Sequence, residues 1–85
     1  MKKYVAVFRS RTDVMAFIDD MKKSSYFAKA IPTPKEAKVG CGISAEFSVG
    51  GIVVAKRLIS NKKYPSFYAV FLVEKNYRGV TTVRI

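Results

Sequence analysis

Short apolar runs of β character occur five times along the chain, and two stretches place apolar residues at helical spacing. The runs predict strands over 3–8, 26–31, 43–47, 66–74 and 80–85. The helical spacing predicts one helix over 11–24 and a second that begins near Ile52 and stops before Pro65. Ser10 and Asp13 form an approximate capping box for the first helix.

The order of these elements is typical of a ferredoxin-like α/β plait, βαββαβ with a short additional C-terminal strand. The chain has 85 residues, of which 49% are hydrophobic. That is enough to bury one modest core, so we predict a single α/β (α+β) domain spanning 1–85. Two helices should cover one face of the sheet.

The other face of the sheet should also be buried, because two predicted strands are apolar on both sides. In the first strand, Val5 and Val7 alternate with Tyr4, Ala6 and Phe8. The run 67–73 has the same character. We therefore expect a cover over this face, supplied either by the C-terminal strand turning over it or by a second copy of the chain in a homodimer.

Charge and composition narrow the classes of function. Sixteen Lys and Arg against six Asp and Glu give a net charge of +10, which suits an acidic partner but also serves solubility alone. The chain has no histidine and one cysteine, so it lacks the residues for a structural zinc site, an internal disulfide or a Cys-His nucleophile pair. These absences exclude several classes of enzyme, and we expect no metal and no cofactor.

No apolar stretch is long enough to span a membrane, and the N-terminal apolar run is too short for a signal peptide. We therefore expect a cytoplasmic protein with no membrane partner.

The candidate chemistry lies in the connection between the second and third strands. Cys41 stands between Gly40 and Gly42, which would let a partner approach the sulfur and would leave backbone N–H groups free for a thiolate. Lys35 and Lys38 add positive charge. The alternative interpretation is that Cys41 packs inward as a small apolar side chain and that the glycines serve a tight turn.

The same connection resembles the bacterial selenium/sulfur carrier protein-like family. The similar positions are an opening strand with Phe8 and Ser10, Asp13 at the head of the first helix, and the segments Ile31-Pro32-Thr33-Pro34-Lys35-Glu36 and Cys41-Gly42. Where the family tends to carry serines before the cysteine, this chain has Lys38, Val39 and Gly40.

The resemblance implies that Cys41 accepts sulfur or selenium as a persulfide or selenosulfide, with Gly40, Gly42, Lys35 and Lys38 around it. Donor and acceptor proteins would be its partners. Such a carrier needs an exposed, activated thiol and a docking surface, but no second catalytic residue. The resemblance therefore favours a carrier or binding protein over a stand-alone enzyme.

Two other hypotheses remain open from the residues. The chain could be a nucleic-acid-binding plait module that uses its basic charge and sheet aromatics such as Tyr4, Phe8, Tyr68 and Phe71. The third strand lacks the aromatic motif of the RNA-recognition module, so binding would be weak and non-specific. The chain could also be a non-catalytic module that dimerises through its apolar sheet face.

Overall fold

The computed structural model describes residues 1–37, 42–61 and 63–85. Strand β1 (Lys2–Phe8) leads to helix α1 (Arg11–Lys23), then to strands β2 (Ala28–Pro32) and β3 (Ile43–Ser48). Helix α2 (Ile52–Ser60), strand β4 (Phe67–Asn76) and strand β5 (Gly79–Arg84) complete the order. Short 3-10 turns lie at Lys35–Ala37 and Val49–Gly51. The predicted mixed α/β class with two helices is confirmed.

The described strands form one five-stranded antiparallel sheet in the order β2-β3-β1-β4-β5. A tight hairpin joins β4 to β5: Asn76 Oδ1 accepts a 2.8 Å hydrogen bond from the Arg78 N–H, and Gly79 takes a φ of +130° that suits glycine. Because β5 extends the sheet beside β4, the expectation that the C-terminal strand turns over the open face is wrong.

The larger core lies between the two helices and one face of the sheet, which we call the helix-covered face. Phe17 of α1 packs at its centre, with ring centroids 5.3 Å from Phe8, 5.8 Å from Phe47 and 5.5 Å from Tyr64. These tilted and edge-to-face contacts are favourable arrangements for aromatic rings. Val14, Ile18 and Met21 lie on the same side of α1, as the helical spacing predicts.

The opposite side of the sheet, which we call the second face, has its own buried cluster. Val5, Val7, Ala69 and Phe71 of the sheet pack with Ala37, which is 3% exposed. Ala37 belongs to the 3-10 turn Lys35–Ala37 in the β2–β3 connection, so this turn lies against the second face. The sequence correctly indicated burial on both sides, but Ala37 of this turn contributes cover that neither expected alternative included.

A register shift places one extra aromatic side chain on the second face. Val7 pairs with Ala69 but Phe8 pairs with Phe67, so Tyr68 has no partner of its own across the ladder. Such a bulge breaks the alternation of the strand. Tyr68 consequently packs against the same cluster as its neighbour Ala69.

Candidate functional site

Two of the five predicted site residues, Lys35 and Gly42, lie in the described part of the chain. Lys38, Gly40 and Cys41 lie outside the described residues. The described residues include both ends of the β2–β3 connection, on either side of Cys41.

Gly42 leads into β3 with a φ of +94°, a backbone conformation that residues other than glycine rarely adopt. An added Cβ would meet no atom within 4 Å, so the backbone conformation and not a lack of space calls for glycine here. The Gly42 carbonyl accepts a 3.1 Å hydrogen bond from the Thr33 N–H. That bond ties the residue following Cys41 to the end of β2.

A pair of hydroxyl groups strengthens the same junction. The Oγ1 atom of Thr33 lies 2.8 Å from the Oγ atom of Ser44, and Ser44 is fully buried. A buried hydroxyl without a partner would destabilise the fold, and Thr33 supplies that partner. Sequence reasoning missed this pair, although Thr33 lies within the segment that carries the family resemblance.

The other end of the connection is fixed by Ala37, which is buried against the second face of the sheet. Lys35, in the same 3-10 turn, is exposed. The turn therefore anchors itself with a small apolar side chain and presents a cation to solvent. Both ends of the connection are held by a rigid sheet, the arrangement that commonly positions functional loops.

Two arginines lie over the ring of Tyr68, at the edge of the second-face cluster. The guanidinium carbon of Arg84 is 4.9 Å from the ring centroid and that of Arg9 is 5.6 Å from it. Both distances suit cation–π contacts. Sequence reasoning missed this grouping because it depends on the bulge in β4 and on the pairing of β5.

The aromatic residues proposed for nucleic-acid stacking do not form an open platform. Tyr4 and Phe8 belong to the helix-covered side, Phe71 is 6% exposed, and Tyr68 is held by the two arginines. Base stacking needs exposed ring faces. The structure therefore does not favour the sheet-aromatic part of the nucleic-acid hypothesis.

The head of α1 differs from the predicted capping box. The Ser10 side chain makes no capping hydrogen bond. The backbone N–H of Ser10 donates instead to Ser66 Oγ at 3.0 Å. Asp13 Oδ2 accepts from both the N–H and the hydroxyl of Ser66, at 2.9 and 2.5 Å. Ser66 thus joins the two predicted partners and ties the helix to the start of β4.

No group of three or more His, Cys, Asp or Glu side chains suited to a metal ion occurs in the described ranges. Nor does any helix in this part of the chain combine the length and apolar character needed to cross a membrane.

Comparison with protein families identifies the chain. A family model described as "Putative Se/S carrier protein-like" matches residues 3–68, from β1 to the start of β4. The chain belongs to this family. The match extends beyond the motifs that carried the sequence resemblance and includes α2. Searches of curated proteins and of solved structures found no match.

Proposed function

We propose that this chain carries sulfur or selenium on the thiol of Cys41, as a transfer protein between a donor and an acceptor. The observation that carries the proposal is the family match over 3–68, which includes Cys41 and both anchored ends of its connection. Gly42, Thr33 and Ala37 support it because they fix the backbone on either side of the cysteine segment.

The transfer needs one nucleophilic sulfur. The Cys41 thiolate attacks the outer sulfur of a donor persulfide, R–S–SH, and forms a new S–S bond. The donor S–S bond breaks and its electron pair leaves on the donor sulfur as R–S⁻. The step yields Cys41–S–SH with no net oxidation, and an acceptor thiolate reverses it. A donor R–S–SeH delivers selenium by the same route.

Exposed cations beside the connection would favour this chemistry by stabilising the thiolate. Lys35 is the described lysine of the predicted site, and it is exposed in the anchoring turn. We propose the same role for Lys38, with Gly40 and Gly42 giving access to the sulfur. We also propose that the protein acts in the cytoplasm.

Glutathione persulfide loading, followed by intact-protein mass spectrometry, tests the proposal. Wild-type protein should gain one sulfur atom, lose it to dithiothreitol and pass it to an acceptor thiol, whereas Cys41→Ser should gain none. Lys35→Gln should load about twofold more slowly, since one exposed charge acting through water contributes less than about 1 kcal/mol. Lys56→Gln, which removes an exposed cation of α2, is the matched control. Wild-type protein that stays unmodified while the donor is intact would exclude the carrier function.

We further propose that the fold is the ferredoxin-like plait. The strand order β2-β3-β1-β4, with every neighbouring pair antiparallel, supports it, and β5 would then be an added edge strand.

A further inference from the structure

Charged residues are distributed unevenly between the two faces of the sheet. Strand register and alternation place Lys3, Lys29, Lys75 and Arg84 on the second face, beside Val5 and Phe71. Among the strand residues that the structure describes, Glu46 is the only acid on this face. The second face is therefore strongly basic apart from its apolar centre.

A cavity of about 390 Å³ opens at one end of this face. Its lining includes Lys3, Lys29 and Lys75 from three different strands, with Glu46, Phe27 and Val73. Lys29 lies 3.7 Å from Glu46. The other ion pair in the described ranges is Lys23–Asp19, so Lys3 and Lys75 have no carboxylate partner there.

The opposite end of the face carries the two arginines over Tyr68. Neither Arg9 nor Arg84 takes part in an ion pair within the described part of the chain. Two guanidinium groups held against one ring repel each other, and each offers a planar fork suited to a carboxylate. An anion bound here would remove that repulsion.

The 3-10 turn Lys35–Ala37 lies between these two basic ends. Ala37 packs on the central cluster, while Val73 and Tyr68 pack against that cluster from either side. Val73 also lines the cavity, and Tyr68 holds the arginines. A partner bound to both ends would therefore cover the turn Lys35–Ala37.

We propose that the basic second face is the docking surface for an acidic segment of a transfer partner, with a partner carboxylate in the Lys3–Lys29–Lys75 cavity. The inference rests on the proposed carrier function and deepens it by naming the chemistry of the partner. Charge complementarity supports an acidic occupant. A protein is favoured over a nucleic acid because the guanidinium groups of Arg9 and Arg84 lie over the Tyr68 ring on which a base would stack.

Binding of a fluorescein-labelled oligoglutamate peptide, followed by anisotropy at low salt, tests this surface in the reduced full chain. The double variant Lys3→Gln/Lys75→Gln should bind about tenfold more weakly than wild type, because both residues line the cavity. The control Lys22→Gln/Arg57→Gln removes the same charge from exposed positions on the two helices, which cover the other face of the sheet, and should change affinity about twofold or less. Thermal melting confirms that both variants fold.

Equal weakening in the two double variants would overturn the proposal, since net charge alone would then explain binding. A single-stranded oligonucleotide of matched charge is the competing probe. Tighter binding of that oligonucleotide, lost in Lys3→Gln/Lys75→Gln, would also overturn it and assign the face to nucleic acid. The small glutathione persulfide does not require this surface. If peptide docking fails but Cys41 still loads, the docking proposal falls and the carrier function stands. If Cys41 does not load but the peptide binds selectively, the carrier function falls and the docking surface stands.

Discussion

Tyr64 shows how one buried polar group is stabilised in this core. Its side chain is 4% exposed and its ring packs edge-on against Phe8 and Phe17. The hydroxyl donates a 2.5 Å hydrogen bond to Asp20 Oδ2 of α1. Burial, together with this bond and the nearby negative charges of Asp20 and Asp13, raises the pKa of Tyr64 well above its ordinary value.

This pKa shift predicts a loss of stability at alkaline pH that Tyr64→Phe should lack. Below about pH 10, Tyr64 is neutral in both the folded and unfolded states, and the wild type should be more stable than Tyr64→Phe by about 1–2 kcal/mol. Above about pH 10, the unfolded chain gains stability by ionising Tyr64 while the folded chain cannot, so this advantage should shrink. Urea unfolding of both proteins at pH 7 and pH 11 measures this difference in the free energy of unfolding. An unchanged difference would contradict the assigned environment.

The backbone conformation at Gly42 was predictable from the local sequence. A tight turn was the alternative interpretation of the glycines around Cys41, and the positive φ of Gly42 fits it. The Thr33–Ser44 hydroxyl pair was not predictable, because its partners are on different segments and meet only after β2 and β3 pair in register. The same holds for Arg9 and Arg84 over Tyr68.

Helix α1 ends with a left-handed residue that is not glycine. Ser25 has a φ of +69°, and the N–H groups of Ser25 and Tyr26 donate to the carbonyls of Lys22 and Met21. These are the two bonds of a Schellman motif, in which glycine is the usual residue at this position. The helix therefore ends in a favourable bonding pattern with a residue that is strained in it.

Ser25→Gly should stabilise the protein by about 0.5–1 kcal/mol. Glycine relieves the left-handed strain, which costs other residues roughly 1–2 kcal/mol, and part of that gain is lost to its greater freedom in the unfolded chain. Ser24→Gly is the matched control, since Ser24 has a φ of −91° and should give no gain. Urea midpoints of the two variants measure the difference, and a destabilised Ser25→Gly would refute the assigned strain.

The elements themselves were largely predictable, because hydrophobic spacing and helix-ending residues act locally. Helix α1 was expected over 11–24 and spans Arg11–Lys23, and β4 was expected over 66–74 and spans Phe67–Asn76. The contacts between elements were less predictable. Ser66 bridges Ser10 and Asp13 from a position more than 50 residues along the chain, which a local capping rule does not anticipate.

The second face of the sheet decides whether one chain is sufficient for folding. Val7 is fully buried in a single copy, within the cluster that includes Ala37. The expectation of a homodimer arose from the apolar character of this face, so burial by the chain's own connection removes its main support. Alternating apolar residues show that a face is covered but do not specify what covers it, because an irregular connection has no period to detect.

Unfolding at different protein concentrations distinguishes a self-covered face from one covered by a second copy. The urea midpoint should be independent of concentration, since linkage to a partner copy would raise it as the protein concentration rises. Val7→Ala should lower the free energy of unfolding by about 2 kcal/mol at every concentration, because it removes buried methyl groups and leaves a cavity. Val53→Ala, at a position that is 74% exposed, is the control and should change it by about 0.5 kcal/mol or less. A midpoint that rises with concentration, and a cost for Val7→Ala that appears only where copies associate, would show instead that the second face is buried by a dimer.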